Sequence, residues 1–146
     1  MRCYIFDIDG TLADCSHRLH HIQKQPKDWD GFFADCHLDA PHPHIIGLAK
    51  DLWSIQDSAI VFVSGRSDQC RDQTKEWLLT HGLPPGPLYM RKAGDHRDDD
   101  TIKLELLAEV RADGFDPVMA FDDRNRVVKA WRDAGIPCAQ VAEGDF

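Results

Sequence analysis

Five short apolar runs punctuate the chain, each closed by polar residues or glycine. Cys3-Tyr4-Ile5-Phe6 ends at Asp7, and Ala59-Ile60-Val61-Phe62-Val63 is stopped by Ser64-Gly65. Pro87-Leu88-Tyr89-Met90 is weaker and follows an irregular loop containing Pro84 and Pro85. Val118-Met119-Ala120-Phe121 ends at Asp122-Asp123, and Cys138-Ala139-Gln140-Val141 is the last. Runs of this length between turn residues read as buried strands. Between them, apolar positions recur at helical spacing. One set is Ile45, Ile46, Leu48, Ala49, Leu52 and Trp53; another is Trp77 and Leu78 within 68–81, ending at the helix-stop signal His81-Gly82. A third covers 101–112 with Ile102, Leu104, Leu106, Leu107 and Val110, and a fourth covers 125–134 with Val127, Val128 and Trp131 before Gly135. Strands alternating with helices imply crossover units. The expected fold class is therefore α/β: a doubly wound, Rossmann-like, mostly parallel five-stranded sheet with helices on both faces. Residues 13–42 break this rhythm and read as a small insert after the first strand, with one short helix near Trp29, Phe32 and Phe33.

Composition narrows the picture. At 146 residues, the size prior expects residues 1–146 to form a single domain able to bury its own core. Met1 to Phe6 is too short and too soon followed by acids for a signal peptide, and no apolar run reaches membrane-spanning length. The expected location is cytoplasmic. Five cysteines at 3, 15, 36, 70 and 138 show no CxxC spacing, so reduced thiols are expected. Histidines 17, 20, 21, 42 and 44 raise a zinc reading, but no nearby Cys or Glu completes a recognisable ligand set. The net charge of -8 argues against gripping long nucleic acid, where phosphate contacts need a basic surplus. It leaves room for a local cationic pocket holding one terminal phosphate.

In an open α/β sheet, ligands bind beyond the carboxyl ends of the strands. Three predicted strands end in reactive groups: Asp7 with Asp9, Ser64, and Asp122 with Asp123. Asp7 and Asp9 lie two apart, so in extended chain both point one way, with alpha carbons roughly 6–7 Å apart. Carboxylates that close repel unless a cation or proton intervenes. An acidic cluster of Asp7, Asp9, Asp122 and Asp123 suits a hard divalent ion, Mg2+ above all. Gly10 lets the backbone turn close to a ligand, and Thr11 offers a hydroxyl. Asp7 can attack phosphorus and form an aspartyl phosphate. Asp9 can protonate the leaving oxygen and then deprotonate water. Ser64 and the amides after it, at Gly65 and Arg66, can hydrogen-bond phosphoryl oxygens. Lys103 can place its ammonium between phosphate and carboxylates.

The run Asp7-Ile8-Asp9-Gly10-Thr11, then Val63-Ser64-Gly65-Arg66, then Lys103, then Asp122-Asp123 resembles the four motifs of the haloacid dehalogenase superfamily of phosphatases. That resemblance implies Asp7 as nucleophile, Asp9 as acid/base, Ser64 as phosphate ligand, Lys103 as stabilising cation, and Asp122 and Asp123 at magnesium. Residues 94–100, Phe121-Asp122-Asp123-Arg124 and the tail 140–146 are further similar to the 3'-phosphatase domain of T-even phage polynucleotide kinase/phosphatases. By this likeness Arg66, Arg91, Arg97 and Arg124 are candidates for holding phosphate or nucleotide. The sequence has no GxxxxGK[ST] run, so a kinase or ligase would be a separate partner. The expected activity is a magnesium-dependent phosphomonoesterase on nucleic acid 3' ends or nucleotides. A 5'-nucleotidase or general small-molecule phosphatase is the alternative. A receiver-like phosphoacceptor domain would want an acid on the third strand, which here ends at Met90-Arg91.

Overall fold

A computed structural model describes all residues, 1–146. Strand β1 (Arg2–Phe6) lies at the centre of a five-stranded sheet. The strands β4 (Ser58–Ser67) and β6 (Asp116–Asp122) flank it, and β5 (Leu88–Arg91) and β7 (Cys138–Gln140) form the edges, giving the order β5-β4-β1-β6-β7. Every neighbouring pair is parallel. The chain walks outward from β1 to β5, crosses back, and continues through β6 to β7. The order thus reverses between β1 and β6, and a crevice opens at their carboxyl ends.

Alternation along the strands builds two cores. Phe6, Ile60, Phe62 and Phe121 face helices α3 (Pro43–Trp53) and α4 (Arg71–Thr80). Cys3, Ile5, Val61, Val63 and Ala120 face α5 (Asp99–Ala112) and α6 (Asn125–Asp133). A period of two places successive side chains on opposite faces, and parallel strands covered on both faces read as continuous apolar runs. All five predicted strands and four predicted helices are present. Gly82 takes φ +81 just after α4, as the His81-Gly82 stop signal anticipates. No helix is long and apolar enough to cross a membrane.

The insert is more structured than its sequence suggests. Its ends pair as a two-residue antiparallel ladder, β2 (Ala13–Asp14) with β3 (Ala40–Pro41). Between them lie a one-turn helix α1 (His20–Gln23) and the expected short helix α2 (Trp29–Ala34). The Asp28 carboxylate caps α2 by accepting from the Gly31 N–H at 2.9 Å. A second difference concerns β4, which runs past Ser64 to Ser67. Its pairing with β5 slips between Ser64 and Ser67, so the strand bulges at the Gly65-Arg66 step.

Candidate active site

Strands β1 and β6 deliver acids to the crevice side by side. The Asp7 N–H donates to the Phe121 carbonyl at 3.0 Å, locking the two strand ends together. Beyond Asp7 the chain turns sharply, with the Ile8 carbonyl accepting from the N–H groups of Thr11, Leu12 and Ala13. Gly10 makes this turn with φ +83, and a Cβ there would lie 2.1 Å from Asp123 Oδ2. Only glycine fits both the dihedral and the space. The Thr11 hydroxyl donates back to Asp7 Oδ2 at 3.0 Å. Lys103 enters from α5, only 2% exposed, and its Nζ donates to Asp7 Oδ1 and Asp122 Oδ2, both at 2.8 Å. Trp131 Nε1 donates to the same Asp122 oxygen at 3.1 Å, and the Asp123 N–H donates to the other at 2.9 Å.

Carboxylate oxygens of Asp7, Asp122 and Asp123 lie within 4.8 Å of one another. Three buried acids face one ammonium, an imbalance that must be met by protons or a cation. Burial and then the Asp122 charge push the Asp7 carboxyl well above its usual range. The same causes push Asp123 up to about 6. The Asp122 and Asp7 carboxylates outweigh burial at Lys103 and hold its ammonium charged. An all-oxygen, electron-rich pocket of this kind fits a hard divalent ion.

The Asp9 carboxylate does not join that cluster, contrary to the four-acid expectation. Its Oδ1 accepts from Arg18 Nη2 at 2.7 Å and from Arg66 Nε and Nη2 at 2.9 and 2.7 Å. No protein group bonds its Oδ2, and the side chain is 23% exposed. Burial would raise its pKa, but the two guanidinium groups outweigh burial and lower it. Arg66, proposed for substrate phosphate, is fully engaged inside the protein: besides Asp9 it donates to Asp39 Oδ2 at 2.9 Å and Thr74 Oγ1 at 3.0 Å.

Of the other sequence candidates, Ser64 is buried at the end of the regular part of β4, and its Oγ accepts from the Arg66 N–H at 3.1 Å. A Cβ on Gly65 would lie 2.0 Å from Asp99 Oδ1, so the missing side chain lets α5 approach the β4 bulge. Arg91 is not directed at the acids. Its guanidinium donates to the carbonyls of Gly65 at 2.9 Å and Asp95 at 3.0 Å, tying the loop after β5 to β4. Arg97 pairs on the outside with Asp95 and Glu105 at 2.7 and 2.6 Å and takes no part in the crevice. Arg124 follows Asp123 directly; its Nε donates to the Phe146 carbonyl at 2.8 Å and its guanidinium lies over the Phe146 ring at 5.2 Å.

A family model described as the polynucleotide kinase PNKP phosphatase domain matches residues 1–146. The chain belongs to that family. The phosphatase domain is 31% identical over 137 residues to a protein of Autographa californica nuclear polyhedrosis virus named as a bifunctional polynucleotide kinase/RNA ligase. That match covers 93% of this chain and 18% of the viral protein. A chain of the Pnkp1/Rnl/Hen1 complex superposes with TM-score 0.83 at 28% identity, over 99% of this chain and 47% of that one. The phosphatase domain thus spans under half of these relatives. The class C acid phosphatase of Bacillus anthracis with tungstate bound shares the fold, with TM-score 0.66 at 18% identity over 97% of this chain and 68% of that one.

Three site residues of the phosphatase domain were absent from the sequence-based set. Arg18 and Asp39 come from the irregular insert, where no periodicity or short motif marks them. Asp99 lies one helical turn before Lys103, with its Oδ2 3.8 Å from Nζ. The i, i+4 spacing to Lys103 is the signal that could have found it, but the helix expected over 101–112 begins after Asp99, whereas α5 starts at Asp99.

Proposed function

We propose that the chain is a magnesium-dependent phosphomonoesterase acting on phosphorylated 3' ends of nucleic acids or on 3'-nucleotides. The observation that carries this reading is the buried Asp7 carboxylate, oriented by Lys103 and Thr11 at the crevice mouth beside the Asp122-Asp123 pair. An Asp7 oxygen attacks phosphorus, the bond to the sugar oxygen breaks, and the leaving oxygen takes a proton from Asp9. Water then attacks the aspartyl phosphate, giving its proton to Asp9. The phosphorus–Asp7 bond breaks, returning the carboxylate and releasing inorganic phosphate. Asp9 Oδ2 is the oxygen left free for both transfers. Its depressed pKa keeps it ionised and so able to receive the proton of water, and the negative charge of a bound phosphate raises it toward the acid form. Lys103 stabilises charge on Asp7 and on the transferring group, and Ser64 with the amides of Gly65 and Arg66 supplies further phosphoryl donors. Magnesium held by Asp7, Asp122 and Asp123 would neutralise the acids and polarise the phosphoryl group.

Nucleic acid is favoured as substrate by the family match and by the relatives' names, which join this fold to a polynucleotide kinase, an RNA ligase and an RNA repair complex. The same names support action alongside polynucleotide kinase and RNA ligase activities. The net charge of -8 supports contact with a chain terminus rather than a long duplex, and it keeps a 5'-nucleotidase or small-molecule phosphatase as the second reading. Parallel assays on 3'-phosphorylated oligonucleotides, 2',3'-cyclic ends, 3'-nucleotides and 5'-nucleotides with magnesium separate the two. Phosphate release from 3' ends at least tenfold faster than from 5'-nucleotides is expected. A 5' preference would replace the first reading with the second.

A further inference from the structure

Asp39 lies at the end of the insert, outside every catalytic motif, with its side chain fully buried. It accepts side-on from Arg18, Nε to Oδ1 at 2.8 Å and Nη2 to Oδ2 at 2.6 Å. Arg66 Nη2 donates to the same Oδ2 at 2.9 Å. Two fully buried guanidinium groups therefore meet two carboxylates, Asp39 and Asp9, and the charges balance. Asp39 is itself held from three directions. Trp77 Nε1 donates to its carbonyl at 2.9 Å, its own N–H donates to the Cys36 carbonyl at 3.3 Å, and His17 Nε2 lies 2.7 Å from Oδ1. The Arg18 guanidinium is further fixed by the Phe32 carbonyl at 3.1 Å and by the Phe32 ring, whose centroid is 4.3 Å away.

This arrangement divides the arginine donors between two acids. Asp39 takes the Nε–Nη2 edge of Arg18 and shares Arg66 Nη2, while Arg18 Nη2 and Arg66 Nε and Nη2 converge on one oxygen of Asp9 and leave Oδ2 free. We infer that Asp39 is a positioning residue: by holding both arginines it keeps Asp9 anchored through Oδ1 alone, with Oδ2 open to the leaving group. Without the Asp39 charge, the two guanidiniums have one carboxylate left to neutralise them. A bidentate grip on Asp9 is then the favoured geometry, and it covers Oδ2. The insert thus contributes to catalysis through a residue that never touches substrate. The inference rests on the phosphatase reading given above.

Leaving-group dependence tests it. kcat/KM reports steps up to transfer of the phosphoryl group to Asp7. A nitrophenolate leaves without a proton, whereas a sugar alkoxide needs one from Asp9. The ratio of kcat/KM for p-nitrophenyl phosphate to that for a nucleoside 3'-phosphate is measured for the wild-type chain and for Asp39→Asn. The ratio is independent of the active fraction, so partial misfolding does not mimic the effect. A rise of at least tenfold in Asp39→Asn is expected. A ratio within twofold of wild type, however low both rates fall, overturns the inference and leaves Asp39 a packing residue. Should Asp39→Asn not fold, Asp39→Ser removes the same charge with a smaller side chain. The same rise of at least tenfold is expected, and a ratio within twofold of wild type there also overturns the inference. Wild-type protein inactive on both substrates would instead remove the phosphatase reading itself.

Discussion

Lys103 is the residue on which the acid cluster depends, because its ammonium is the only cation bonded to both Asp7 and Asp122. Replacing it leaves those carboxylates facing one another in a buried site. Lys103→Met is expected to lower phosphatase activity by at least a hundredfold, measured as phosphate release at saturating magnesium. Trp131 plays a quieter part. Its indole N–H is a donor to the same Asp122 oxygen from inside the second core. Trp131→Phe keeps most of the apolar contact and loses that bond, so a destabilisation of about 1–3 kcal/mol is expected in urea titration. At this scale the motif residues Asp7, Thr11, Lys103, Asp122 and Asp123 were legible in the sequence, and the structure brings all five together. Asp9 was misplaced for a physical reason. The two-residue alternation holds only within a strand, and β1 ends at Phe6. The turn around Ile8 and Gly10 then carries Asp9 to the arginine side of the crevice.

Among the elements, the β4 bulge is where local sequence said least. Ser64-Gly65 reads as a strand stop, yet the strand passes through it as a bulge and pairs again at Ser67 with Arg91, while Asp99 of α5 fills the space a side chain on Gly65 would occupy. Gly65→Ala is expected to force Asp99 away, disturbing its approach to Lys103 and Arg91. A fall in melting temperature together with at least tenfold lower activity should follow. The strands and the four helices flanking the sheet were legible because each buries a periodic apolar face. The insert was not, because its order comes from long-range polar bonds rather than periodicity. Arg66 and Asp39 are 27 residues apart, and nothing in the sequence near either one names the other. The same blindness applies to the arginines taken from family likeness: Arg91 and Arg97 are spent on the loop after β5.

Across the whole molecule, a chain of net charge -8 concentrates three acids at the carboxyl ends of the central strands β1 and β6, and this has a consequence for stability. Asp123 is pushed up to about 6, first by burial and then by Asp122, and Asp7 is raised for the same reasons. The folded metal-free protein therefore holds protons that the unfolded chain has already lost. The associated stability is fully present below the ordinary carboxylate value and is lost as pH rises through about 6. For Asp123 the effect is on the order of 1–3 kcal/mol. In chelator, the melting temperature is expected to fall between pH 5 and pH 7, and Asp123→Asn should flatten that slope. Added magnesium should restore more stability at pH 7.5 than at pH 5.5, since at low pH it must displace protons.

The central assignment is that Asp7 carries the phosphoryl group. Its most direct test is phosphate release from a 3'-phosphorylated oligonucleotide with magnesium, comparing wild type with Asp7→Asn of matched circular dichroism. Release by wild type and at least a thousandfold less by Asp7→Asn is expected. Comparable release by the two proteins would contradict it.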